Sequence, residues 1–146
     1  MGRFGIILDS KHSRRDFGMS MTARNIGIPN EIKVKVQVPF SNIVHDISYI
    51  YGGKVYGERT LNFEFSFEEH NKLRMEYRKN RFIAWLKSGY GKKRLVDDLT
   101  PEYHYFAECS DTSATYNTGI CRITAVFTAD PLRIPNNPDS GLEAVI

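Results

Sequence analysis

Long apolar runs are missing from this 146-residue sequence. A helix that crosses a bilayer needs about 18 or more apolar residues in succession, so a membrane-spanning helix is excluded and no membrane partner is expected. The apolar stretch before Asp9 is too short for a signal peptide, and the chain is expected to stay in the cytoplasm where it is made. Cysteine is also scarce. Cys109 and Cys121 flank a polar segment read as a turn, residues 113–117, and in hairpin register they could face each other. Reduced, packed thiols are the ordinary state in a cytosolic β-protein.

Catalytic and metal-binding patterns are missing too. His12, His45, His70 and His104 show no ligand spacing with one another or with the cysteines, so no metal or cofactor is expected. There is no Gly-x-Ser-x-Gly elbow and no Cys/His setting for nucleophilic catalysis, so the chain is read as not an enzyme. Asp16-Phe17-Gly18 spells a kinase magnesium triplet but lacks the catalytic loop and nucleotide-binding lysine that give it meaning. Gly89-Tyr90-Gly91-Lys92-Lys93 has a phosphate loop's residue types, yet it closes a helix where a phosphate loop must open one. Asp97-Asp98 are adjacent, so on a strand they point to opposite faces; capping of backbone N–H groups or pairing with bases suits them better than a shared proton. No internal repeat is visible.

What the sequence does contain is uneven charge. The net charge of +3 hides nine basic residues and one acid, Glu76, between Lys72 and Arg94, so that segment carries +8 and the remainder −5. Such asymmetry suits nucleic acid, or a basic face of one subunit meeting an acidic face of the next.

Residues 68–99 hold the only long helical pattern. Leu73, Met75, Phe82, Ile83, Trp85 and Leu86 recur at helical steps and form the expected inner face, with acids at the start, Lys87 near the end and Gly89 just past it. The rest reads as strands: residues 4–8, 17–23, a strictly alternating 32–38 with one buried face, 60–67, 94–96, and a last hairpin of 103–110 with 120–129. Residues 61–67 put Leu61, Phe63, Phe65 and Phe67 on one face, the partner surface for the helix. Gly52-Gly53 marks the tip of a projecting hairpin with arms at 47–51 and 55–56. The fold class expected is mainly β, a β-sandwich with one α-helix packed on it and a projecting β-hairpin. One domain over 1–130 precedes a proline-rich arm, 131–146.

Several strings in order resemble the N-terminal domain of the distal tail protein family of long-tailed, non-contractile bacteriophages. They are Phe4 with His12-Ser13 and Asp16-Phe17-Gly18, Val38-Pro39, Tyr56 with Arg59 before the 61–67 strand, Ala84-Trp85-Leu86, and Leu95-Val96-Asp97-Asp98 leading to Tyr103 and Tyr105. The chain departs from the family at Pro39-Phe40-Ser41-Asn42, where a Pro-Gly turn is usual, and it lacks the second, carbohydrate-binding domain of many members. The resemblance implies a structural virion protein at the distal end of the tail, assembled in the host cytoplasm. It implies a homo-hexameric ring between the tail tube protein and the tail-tip or tail-associated protein, around a channel that DNA passes without specific binding. Subunit contacts are expected at Tyr49, Tyr51, Tyr56 and Arg59 of the hairpin region, Arg78, Lys79 and Arg81 of the helix, and Arg133 and Ile134 of the arm. The alternatives are a small basic nucleic-acid-binding module and a small sandwich-fold hydrolase.

Overall fold

The structure, a computed structural model, describes residues 4–33, the backbone of 35–37 and 44–46, and residues 55–146. Its centre is the alternating strand β8 (Arg59–Glu68), which buries Leu61, Phe63, Phe65 and Phe67 on one face as the sequence pattern requires. Antiparallel to it runs β11 (Ile120–Ala129), in a register that sets Phe67 opposite Cys121, Phe65 opposite Ile123 and Leu61 opposite Phe127. Burying each large side chain of this face contributes about 1.5–3 kcal/mol.

The remaining strands extend this pair into one antiparallel sheet. They are β1 (Ile6–Leu8), β2 (Lys11–His12), β3 (Ser20–Ile26), β9 (Lys93–Asp97) and β10 (Tyr103–Asn117), in the order β2-β1-β9-β10-β11-β8-β3. The sheet curls over its apolar face: Arg24 on the edge strand β3 donates to Asp97 on β9, with three strands between them in the order, and the Asp97 side chain is fully buried. The expected class, mainly β with one helix packed on the sheet, is therefore what is found, with the layers belonging to one continuous sheet.

The helix, α1 (Lys72–Leu86), closes the curl with Met75, Phe82, Trp85 and Leu86. Phe82 meets Phe65 edge-on at 5.1 Å, Phe17 stacks on Trp85 at 4.7 Å, and Trp85 Nε1 donates to Leu8 O at 3.0 Å. Two expectations about α1 change. It starts at Lys72, because Glu68 still belongs to the β8 ladder and Asn71 is the cap, its side chain accepting from the N–H groups of Leu73 and Arg74. Leu73 is 83% exposed, since two residues before Met75 is a rotation of about 200° around the helix, onto the outer face. Ile83 is half-buried, and Gly89 takes the left-handed conformation expected past the end, with φ +73°.

Other boundaries also shift. The strand placed at 17–23 is β3, and Phe17 instead belongs to the core under α1. The strand placed at 32–38 is broken into β4 (Glu31–Ile32) and β5 (Lys35–Gln37). These pair with β7 (Val55–Tyr56) and β6 (Val44–Asp46), as nested two-stranded ribbons outside the main sheet. Among the described residues no second layer covers the β4–β7 ribbon, and Ile32 and Val55, opposite each other, are both exposed. The expected hairpin arm 47–51 and its Gly52-Gly53 tip lie outside the described residues, as does Val38-Pro39.

The polar segment 113–117 is strand, with Thr112, Thr115 and Tyr116 in a continuous ladder; the turn is Thr118-Gly119, with φ +40° and +79°. That register sets Cys109 opposite Phe127 and Cys121 opposite Tyr116, and both thiols are free. Residues 131–146 return to the domain through β12 (Ile134–Pro135), which pairs with Tyr103 and His104, and through the Asn136 N–H to Glu102 O, while backbone bonds between Arg133 and Val145 fold the segment back on itself.

The tight turn gives a stability prediction. Thr118 is a β-branched residue at positive φ, which costs about 1–2 kcal/mol and which asparagine tolerates. Thr118→Asn should raise the urea midpoint, whereas Gly119→Ala should lower it, since a Cβ there would sit 2.7 Å from His70 Nδ1. An unchanged midpoint in both variants would contradict the turn geometry.

Candidate assembly surface

The inner half of α1 is spent on the core, so its chemistry toward other molecules lies on the outer half and on what flanks it. The exposed residues Leu73, Tyr77, Asn80 and Ala84 follow one another at steps of three and four and form an outer stripe. Lys72, Arg74, Arg81 and Lys87 are exposed around it. At the N-terminal end of the helix an open groove of about 540 Å³ separates α1 from the β10–β11 tip, lined by His70, Lys72, Met75, Glu76, Tyr116 and Gly119.

Beside that groove the helix is tied to the hairpin. The Tyr116 hydroxyl donates to Glu76 Oε1 at 2.6 Å, and Lys79 Nζ reaches Glu76 Oε2 at 3.0 Å while lying 5.5 Å from the Tyr116 ring centre. The Tyr116 hydroxyl, then Lys79, holds the Glu76 carboxyl below the usual carboxylate range. Bonds to Tyr116 and Glu76 push Lys79 up, and Glu76 pushes the Tyr116 phenol up.

The residues expected at subunit contacts fall into three places. On the helix, Arg78 lies over the Phe67 ring at 4.6 Å and reaches Glu69 at 3.7 Å, Lys79 is held as just described, and Arg81 lies over the Phe17 ring at 5.1 Å. Only Arg81 of these three is exposed. At the other end, Arg59 is 5% exposed, its guanidinium donating to Gly27 O and Pro131 O at 3.0 Å each and lying over the Tyr105 ring. Burial lowers its pKa. Arg59 thus joins the base of the ribbons, the start of the C-terminal segment and the core within one chain. Arg133 donates to Ile146 O at 2.7 Å and lies over Tyr103, with Ile134 next to it in β12, half-buried. Tyr56, opposite Glu31 on β7, is half-buried; Tyr49 and Tyr51 lie outside the described residues.

The carboxylates of Asp97 and Asp98 part company as their adjacency predicts. Asp97 takes Arg24 and the Leu99 N–H, whereas Asp98 Oδ2 accepts from Gly5 N at 3.0 Å and from His12 Nε2 at 2.6 Å. His12 Nδ1 accepts from the N–H groups of Arg14 and Arg15, which leaves Nε2 as the donor to Asp98. Although a His/Asp pair beside Ser13 looks like part of a hydrolase triad, the Ser13 hydroxyl is buried and accepts from Ile6 N. The pair fastens β2 to the turn that follows β9. No helix among the described residues is long and apolar enough to cross a membrane.

Residues 47–119, half of the chain, match the phage tail protein RIFT-related domain, and the chain belongs to that family. The matched span takes in β7, β8, α1, β9 and all of β10. In fold the chain is similar to the Dit protein (gp 19.1) of phage SPP1, described as a paradigm of the hub adsorption apparatus in phages infecting Gram-positive hosts. The TM-score is 0.70 at 13% identity, over 89% of this chain and 51% of that one, so this chain spans about half the length of the SPP1 protein. A chain of the native gene transfer agent virion aligns at a TM-score of 0.45 and 12% identity, over 86% of this chain and 89% of its own. No curated protein matches in sequence.

The Glu76 contacts give a pH prediction. A carboxyl depressed in the folded state binds fewer protons there than when unfolded, so its stabilisation is present above the unfolded pKa and is lost as pH falls through the folded one. Glu76→Gln should therefore melt below wild type at neutral pH, with the gap closing as the pH drops below the ordinary carboxylate range. A gap that stays constant in low-salt melts would refute the contact.

Proposed function

We propose that this chain is the ring-forming hub of a long non-contractile phage tail. Six copies form a closed ring at the distal end, with the tail tube protein on one side and the tail-tip or tail-associated protein on the other, and DNA passes through the channel without specific binding. The observation that carries this reading is the likeness of fold to the SPP1 hub protein over 89% of the chain, together with family membership. Charge separation supports it as well, since a +8 segment set against a −5 remainder suits head-to-tail contacts between identical subunits. The reading places the protein in the virion after assembly in the host cytoplasm, in a structural and not an enzymatic role.

The competing reading is a nucleic-acid-binding module, favoured by exposed Tyr77 and Tyr90 with Lys72, Arg74, Arg81 and Lys87 around them. Salt separates the two, because phosphate contacts give affinity a steep negative dependence on salt concentration. Negative-stain microscopy of the purified chain at micromolar concentration should show six-fold rings, and DNA binding should be weak and nearly flat with salt. Monomers that bind DNA with a steep salt slope would overturn the proposal.

A further inference from the structure

Strand β10 is the longest of the described strands in the sheet, and β9 pairs with only Tyr105, Phe106 and Ala107 of it. Residues 103–107 pair with β12 and β9, whereas beyond the bulge at Ser110 residues 111–117 have β11 on one side and no strand on the other among the described residues. An open edge of this length invites pairing, and proteins usually blunt one with lysine, proline or an inward charge. Residues 108–117 contain no lysine, arginine or proline. At one end of the strand order β3, Ser20–Ile26, is a second open edge among the described residues, whereas β2 at the other end is only two residues long. These two edges, 111–117 and Ser20–Ile26, are each seven residues long, so one can run alongside the other over its full length.

The outward-facing backbone groups can be named. In a hairpin closed by the two-residue turn Thr118-Gly119, the pair Asn117 and Ile120 exchanges hydrogen bonds, and the pattern alternates from there. Ser113 and Thr115 therefore bond to β11, while Thr112, Ala114 and Tyr116 turn their N–H and C=O groups outward. On β3, the Gly27 N–H donates to Thr60 O, so Asn25 and Ala23 bond to β8 while Arg24 and Ile26 turn theirs outward.

We propose that residues 111–117 of one copy pair with β3 of the next copy, continuing the sheet from subunit to subunit. The two edges are different surfaces of the chain, so the contact is head-to-tail, the type that generates rings. The inference rests on the ring reading and adds to it which strands meet.

Ala114→Pro tests it, because proline there removes an outward N–H and leaves the β11 ladder intact. The full-length variant, shown to be folded by its melt, should run as a monomer in light scattering under conditions where wild type assembles. Ser113→Pro, which removes a bond to β11, should instead lower the melt. Hydrogen exchange on unmodified protein gives a second readout if Ala114→Pro does not fold: the amides of Thr112, Ala114, Tyr116, Arg24 and Ile26 should slow by more than about tenfold on assembly. Rings from folded Ala114→Pro, or amides that exchange equally fast in ring and monomer, would overturn the pairing and leave the ring reading standing. Wild type that stays monomeric would overturn both.

Discussion

An antiparallel sheet with one apolar face has to cover that face, and in this chain a single helix does so. Phe82 and Trp85 reach into the curl to meet Phe65 and Phe17, while the Trp85 N–H satisfies a buried carbonyl on β1. The Arg24–Asp97 pair ties the edge strand β3 back toward β9, and Arg59 ties the ribbon base to the C-terminal segment. Asp97 is a charge taken out of water, so removing Arg24 would leave it buried and alone, whereas removing Arg59 would leave the Gly27 and Pro131 carbonyls without their donor.

That constraint decides what is left for other molecules. The inner stripe of α1 is committed to packing, and two of its basic residues are committed sideways: Arg78 to Phe67 and Glu69, Lys79 to Glu76 and Tyr116. The surface that remains is the outer stripe of α1, the groove at its start, the ribbons and the open edge of β10 beyond its bulge. The +8 count of the helix segment thus overstates the charge free to act, which weakens the case for tight nucleic-acid binding and leaves room for a protein partner.

Much of the core was legible because alternation and helical spacing report burial directly. Leu61, Phe63, Phe65 and Phe67, and Met75, Phe82, Trp85 and Leu86, were each placed by period alone. Leu73 misled because being apolar does not fix the side of the helix. The 111–117 strand was missed because serine, threonine, asparagine and aspartate also make turns, and only the ladder with β11 distinguishes the two. Ile32, the first apolar residue of the alternating 32–38, is exposed, because alternation marks a possible face and does not supply the layer that would bury it. Of the contact residues expected, Arg59 proved to be interior because its partners, Gly27 O and Pro131 O, are backbone atoms far away in sequence.

The central claim is that the residual surface of this small domain is made for its own copies. Native mass spectrometry of the full 16.8 kDa chain at low salt tests it most directly. The account predicts a dominant species of six chains that resists dilution into the micromolar range. A spectrum of monomers alone across that range would contradict it.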